Sequence, residues 1–311
     1  MYLAQNIPFK EWYAMFFLSK LFQSSNSKLV NNWLDNYLDI LLKRNLKPKT
    51  IEIKKYLIKV IRQNIGKRPL AKITPQDIAQ LIKIYTDQDK APSAKCMYHL
   101  LKDIFREAYA QGWNDKNPTD PIKCPKVTVK RSRMTLNEFK KILNEADKTG
   151  NKTLHDAMML AIVTGQRRSD IATMKKSNIK RNYLLIEQYK TGAKIALPVK
   201  LKCKKLNISL KDIIDSTQNN YLLSNNNKQI KLEAITRQFA RLRDKVFKKN
   251  YWTGTPTTFH EIRSLAERLY REQRLDTMTL LGHKSQQMTD RYNDNRGREY
   301  KKLRINKASY L

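Results

Sequence analysis

The residues of this chain that could do chemistry stand in four short stretches. In "VTGQRRSDIATM", residues 163–174, Gly165 can close one helix and Ser169 can cap the next. Arg167 therefore emerges from a tight turn beside a helix N-terminus, a place suited to holding an anion. In "QYKTGAK", residues 188–194, Lys190 and Lys194 flank a predicted hairpin turn. In "FHEIR", residues 259–263, His260 and Arg263 are three apart and leave one helix face. In "LLGHKSQQMTDRYNDNRGREY", residues 280–300, His283 follows Gly282, and Tyr292 and Tyr300 lie further on. On one unbroken helix, at about 100° per residue, His283 and Tyr292 would face opposite ways. Gly282 as a helix stop and Ser285 as an N-cap instead put His283 in a turn and Tyr292 about two turns into the next helix. Such a bend lets both reach one pocket.

Two guanidiniums, two imidazoles, a lysine and a phenol, with no convergent carboxylates to hold Mg²⁺, suit phosphoryl transfer without a metal or other cofactor. Arg presents a planar fork that matches two phosphate oxygens, and a preorganised pair can neutralise charge on a pentacoordinate phosphorus. A Tyr there can be a covalent nucleophile. Its ordinary pKa near ~10 makes it weak at neutral pH, so cations must favour the phenolate as attack proceeds. Each stretch alone is ordinary. The chain has only four histidines, however, and two of them, His260 and His283, fall in these stretches. His99 and His155 lie within amphipathic helices and read as structural.

The elements that must position these residues follow from composition and periodicity. A chain of 311 residues that is 41% hydrophobic can fill two cores. Its 62 Lys and Arg against 28 Asp and Glu give a net charge of +34, which opposes compaction unless a polyanion neutralises it. Nucleic acid is the leading partner. No apolar run approaches the ~18 residues that a membrane span needs. The patch "WYAMFFLSKLF", residues 12–22, carries Lys20 and lacks a cleavage site, so it is neither signal peptide nor anchor. Cys96, Cys124 and Cys203 are far apart and unpaired in pattern, which fits inert thiols in a reducing cytoplasm.

Apolar positions recur at three- and four-residue intervals over residues 28–112, predicting four helices that start at Pro48, Thr74 and Pro92–Ser93 and stop at Gly66 and Gly112. Residues 117–133, "NPTDPIKCPKVTVKRSR", read as a basic interdomain linker. Beyond it, helices are predicted near 135–148, 153–164 and 169–176. A β-hairpin follows around Thr191–Gly192, then a long basic helix over "LEAITRQFARLRDKVFKK", a helix starting after Thr257 or Thr258, and a short one running into Gly282. The expected fold is mainly α, with a small β-sheet or hairpin in the C-terminal domain. The expected segments are 1–26, 27–116, the linker 117–133, and 134–311.

Taken in order, "TGQRRSDI", "EQYKTGAKIALPV", "FHEIRSLAERLY" and "LLGHKSQQMTDRYNDNRGREY" resemble the tyrosine recombinase (phage integrase) family, in particular its lambda-type branch, over residues 33–305. The resemblance implies a helical core-binding domain over 27–116 and a mixed α+β catalytic domain over 134–311. It implies that Arg167 and Arg263 clamp the scissile phosphate and that Tyr292 attacks it, leaving a 3′-phosphotyrosyl link and a free 5′-hydroxyl. Lys190, preferred by the resemblance to Lys194, would be the general acid, and Tyr292 is preferred to Tyr300. His260 and His283 would bind the phosphate and share in proton management. Arg168 reads as a neighbour of the clamp and Asp170 as a buttress. The implied function is site-specific recombination of double-stranded DNA at attachment core sites, for integration or excision of a prophage or mobile element. The implied setting is a homotetrameric synapse at the nucleoid, in the cytoplasm of a bacterial host. An excisionase and a DNA-bending host factor are the accessory partners such a reaction can use. The tail "KKLRINKASYL" would couple neighbouring protomers.

One departure is that lambda-type integrases begin with a small arm-binding domain, and residues 1–26 do not match it. That leaves an integrase working at simple core sites, or a truncated one acting only as a DNA-binding protein. A metal-dependent nuclease would need carboxylates that the motifs lack. A type I topoisomerase shares the chemistry, and the lambda-like detail favours integration.

Overall fold

The computed structural model describes residues 28–225 and 228–293, and the chain divides into two units, 1–128 and 129–311. The apolar 12–22 patch, Tyr300 and the C-terminal tail lie outside the described residues.

The first unit is helical, with α1 Val30–Lys43, α2 Pro48–Ile65, α3 Pro75–Thr86 and α4 Ala91–Ala110. Val30, Trp33, Leu34, Tyr37 and Leu41 form the buried stripe of α1, the three-four spacing of a one-sided helix. Thr74 and Asp77 close a capping box at the start of α3, where Pro75 needs no hydrogen bond of its own. A part-buried polar knot lies beside this core. Asp103 accepts from Tyr37 and from Arg44, each at 2.5 Å, while Arg44 reaches Glu107 at 2.7 Å. Desolvation pushes the Asp103 carboxyl up, but the Tyr37 and Arg44 hydrogen bonds outweigh it and hold the pKa below the ordinary value.

The expected linker is shorter than its sequence suggests. Trp113 packs against Trp33 in a tilted ring contact at 5.2 Å, and Ile122 and Cys124 pack on the first core, so burial rather than prolines governs 113–124. At the other end, Arg131 pairs with Thr255 in a short bridge within the second unit.

That unit begins with α5 Leu136–Lys148, capped by a Thr135–Glu138 box, and α6 Lys152–Thr164. Leu154, Ala157, Met158 and the whole run 160–164 of α6 are buried, which makes it the central helix. The helix expected over 169–176 is only α7, Arg168–Ile171. There Met174 gives its carbonyl to the Leu222 amide and Lys175 bridges Tyr221, so a non-local pairing replaces the next helical turn.

Strands β1 Ile179–Lys180, β2 Tyr183–Glu187 and β3 Lys194–Pro198 form an antiparallel sheet in that order. Leu184 and Ile186 of β2 and Ile195 and Leu197 of β3 face inward, the period-two pattern of a half-buried sheet. After it come β4 Lys202–Cys203, β5 Ile208–Ser209, α8 Leu210–Ser216, β6 Ser224–Asn225, β7 Lys228–Gln229 and α9 Leu232–Val246. The last elements are α10 Glu261–Glu272, α11 Thr277–Leu281 and α12 Gln286–Asn293. Helix α10 starts later than Thr257 or Thr258 would predict. The hydroxyls of both threonines are buried without partners and cap nothing, and Phe259 is buried edge-on to Phe239 at 5.8 Å. No described helix is long and apolar enough to cross a membrane.

Candidate active site

Arg263 leaves the first turn of α10 and is 1% exposed. Its fork donates from Nη1 to the Gly165 carbonyl at 2.8 Å and from Nη2 to the Leu281 carbonyl at 2.5 Å. These oxygens belong to the C-terminal ends of α6 and α11, which leave carbonyls unpaired and carry partial negative charge. Both helices end as glycine allows: Gly165 and Gly282 have φ of 65° and 60°, the left-handed region. One cation thus ties together two turns far apart in the chain.

Arg263 Nη2 also lies 3.2 Å from Nε2 of His283, whose Nδ1 is 3.0 Å from the Thr289 hydroxyl. Guanidinium nitrogens only donate, so the network assigns an accepting Nε2 and a protonated Nδ1 to a neutral imidazole. Burial first, then Arg263 and Arg167, push the His283 pKa down to about 4. For Arg263 itself, burial followed by repulsion from Arg167 lowers the pKa to about 10, so it stays charged at neutral pH. Its Nε is buried without a partner, a donor left unused.

Tyr292 comes over this pair. Its ring centre lies 5.1 Å from that of His283, 6.2 Å from that of His260, and 5.6 Å from the Arg263 guanidinium carbon. The helix that carries it is held by polar contacts, since Thr289 is the buried residue of α12. Arg271 bridges Glu267 at 2.6 Å and Asp290 at 2.8 Å, and Arg133 donates to the Arg291 carbonyl.

Arg167 takes the N-cap position of α7 with no side-chain cap; Ser169, expected there, lies inside the helix. Its Nη1 donates to Gln188 Oε1 at 2.7 Å and lies 3.9 Å from Asp170. Together with Arg131, Arg168, Ser169, Thr236 and His260 it lines a cavity of about 360 Å³. Arg168 is committed to α9 through the Leu232 carbonyl and the Thr236 hydroxyl. His260, the N-cap of α10, is open to solvent on its outer side. Desolvation by the surrounding protein, then Arg263, Arg131 and Arg167 against the pull of Glu261, push its pKa down to about 4.

Lys190 stands apart, exposed in the β2–β3 turn, while Lys194 begins β3 opposite Glu187. The turn is anchored beneath it, where Asp170 accepts from the Tyr189 amide at 3.0 Å and Gln188 accepts from the Thr191 hydroxyl at 2.8 Å. The other histidines are elsewhere: His99 lies beside Cys124, and His155 between Asp147 and Asp156.

Gln166, Gln188, Thr289, Arg133 and Arg271 hold the site together and were not legible as functional residues. Gln188 did leave a signal. It continues the inward positions 184 and 186 of β2, so a polar side chain sits where the strand pattern calls for an apolar one.

Comparison with known proteins places the chain in a family. The model of the phage integrase family matches residues 132–299, and that of the phage integrase central domain matches 27–124. The integrase of Enterobacteria phage 434 is 40% identical over 295 residues, covering 93% of this chain and 82% of its own. A lambda integrase dimer bound to a COC′ core site is similar with a TM-score of 0.84 and 38% identity, over 93% of this chain and 84% of that one. A lambda integrase tetramer bound to a Holliday junction gives 0.84 and 35% identity over 98% and 92%. Two family models in tandem, 40% identity across both units and the shared two-domain tyrosine recombinase fold leave one conclusion: the chain belongs to the phage integrase family.

Proposed function

We propose that the chain is a site-specific DNA recombinase that cleaves and rejoins strands through Tyr292 without a metal ion. The observation that carries this reading is the stack of Tyr292 over Arg263 and His283, which puts a phenol beside a buried guanidinium clamp. In the cleavage step the Tyr292 oxygen forms a bond to phosphorus as the P–O5′ bond breaks. The phenolic proton passes to His260, whose depressed pKa keeps it an unprotonated acceptor at neutral pH. The Lys190 ammonium gives a proton to the departing O5′. Arg167 and Arg263 neutralise the charge that gathers on the non-bridging oxygens, the place where a metal enzyme would present carboxylate-bound cations. Rejoining reverses each transfer, with another strand's 5′-hydroxyl as the nucleophile. The phosphotyrosyl bond stores the phosphodiester's energy, so no ATP is needed.

In this reading residues 27–116 grip the core site and 134–311 perform the chemistry. The partner is double-stranded DNA, and the working assembly is a tetramer on a Holliday junction, as in the solved lambda integrase complexes. An excisionase and a DNA-bending factor would set direction in the bacterial host. The test is to incubate nicked duplexes from the DNA flanking the gene with wild type and Tyr292→Phe in EDTA, then run a denaturing gel. A protein–DNA adduct that forms in EDTA and is absent in the variant is the expected result. An adduct with Tyr292→Phe would remove Tyr292 as nucleophile, and one that needs a divalent ion would remove the metal-free mechanism.

A further inference from the structure

We propose that Gln188 is a positioning residue that locks the turn carrying Lys190 to the two-arginine clamp. This rests on the reading of Lys190 as general acid given above. Gln188 is 0% exposed, and each of its four side-chain hydrogen bonds ends on a different part of the site. Its Oε1 accepts from Arg167 Nη1 at 2.7 Å and from the Thr191 hydroxyl, next to Lys190, at 2.8 Å. Its Nε2 donates to Gln166 Oε1 at 2.7 Å and to the Leu281 carbonyl at 2.9 Å, the same carbonyl that accepts from Arg263. Gln166 extends the chain, donating to the carbonyls of Thr164 and Leu280 and lying 3.4 Å from Arg263 Nη1. Two amides thus link both guanidiniums, the turn before His283 and the Lys190 turn.

The chemistry of the residue fits the task. A full set of four hydrogen bonds removes the cost of burying the amide and leaves one orientation open to it. An amide oxygen accepts from a guanidinium without neutralising it, so the clamp keeps its charge for the phosphate. A carboxylate at 188 would cancel part of that charge and face two oxygens that now accept hydrogen bonds. Lys190, long and exposed, has its reach set by the backbone of its turn. That turn is pinned by Gln188 through Thr191 and by Asp170 through Tyr189.

Single-turnover cleavage of two nicked duplexes separates positioning from bulk structure. One carries the ordinary phosphodiester, and the other has sulfur in place of O5′. Sulfur leaves as a thiolate and takes no proton, so the second duplex needs no general acid. Thr191→Val removes the hydroxyl's bond to Gln188 and its long 3.5 Å acceptance from the Ala193 amide, both in an exposed turn outside the core. It should cleave the oxygen duplex about tenfold more slowly and the sulfur duplex at the wild-type rate. Gln188→Leu unmoors Arg167 as well, so sulfur should recover only part of a loss of about 100-fold or more, with duplex binding within a few-fold of wild type. A wild-type rate on oxygen for either variant, or an equal loss on both duplexes for Thr191→Val, overturns the proposal. Lys190→Ala is the control. If sulfur fails to rescue it, Lys190 is not the general acid and the underlying reading falls; if sulfur rescues it but not Thr191→Val, only the positioning role of Gln188 falls.

Discussion

Replacing Arg263 by Lys keeps the charge and nearly the length, so it isolates what the planar fork does. The guanidinium spans the Gly165 and Leu281 carbonyls with two different nitrogens at 2.8 and 2.5 Å, and also reaches His283. A single ammonium cannot lie within hydrogen-bond distance of all three acceptors in their present places. At 1% exposure water does not replace the lost bond, so at least one carbonyl is left buried and unsatisfied. That costs about 1–3 kcal/mol, and the lost charge-assisted bond is of similar size, so stability should fall by roughly 2–4 kcal/mol. Transition-state stabilisation should fall as well, by about 2.7–4 kcal/mol if one phosphate donor is lost, which is roughly 10²- to 10³-fold in rate. Urea unfolding followed by far-UV circular dichroism reads the first loss. Single-turnover cleavage of a nicked duplex, at a temperature where the variant is folded, reads the second. A variant within 1 kcal/mol of wild type in stability and tenfold in rate, both about the size of one ordinary hydrogen bond, would refute the argument that the fork itself is needed.

Three further outcomes are expected. The folded-state pKa values of His260 and His283 are lowered to about 4, against an unfolded value near ~6.5, so the unfolded chain binds more protons between those limits. Their contribution to stability is therefore full above pH ~6.5 and is lost as pH falls toward ~4. Cleavage measured from pH 7.5 to 5.5 should stay nearly flat, and a fall with a midpoint near ~6.5 would contradict the depressed values. Gly282→Ala puts a Cβ at φ +60°, 2.6 Å from Ile195 Cδ1 and 3.0 Å from Gln188 Nε2. It should lose more than the about 1–2 kcal/mol of left-handed backbone strain alone. Gly192→Ala, at φ +69° with open space around it, should lose only the strain, and equal midpoints in urea would show that the contacts do not matter. Asp103→Asn weakens the knot with Tyr37 and Arg44 and should destabilise the helical unit by about 1–3 kcal/mol. Because the wild-type pKa is lowered, that contribution is present above the unfolded value near ~3.9 and is lost as pH falls below it. Acid titration of the thermal midpoint of both proteins checks this, and the two curves should converge at low pH.

Local rules determined much of this protein. Three-four periodicity located the helices of the first unit, because a one-sided apolar stripe has only one way to be buried. Alternation located β2 and β3, and Gly165 and Gly282 marked the turns that only a left-handed residue makes without strain. Residue types alone pointed to an anion clamp with a phenol beside it, and the order of four motifs named the family. Tertiary structure decided what local pattern could not. Burial of Trp113, Ile122 and Cys124 drew half of the linker onto the first core, and pairing of residues 174–175 with 221–222 cut α7 short. The tautomer of His283 depends on Arg263, twenty residues away, and the aim of Arg167 depends on Gln188, twenty-one residues on. Arg263 itself is fixed by the Gly165 carbonyl at a separation of 98 residues. Such pairs leave no periodic trace, because a hydrogen bond depends on distance in space, and only the packed core brings those positions together.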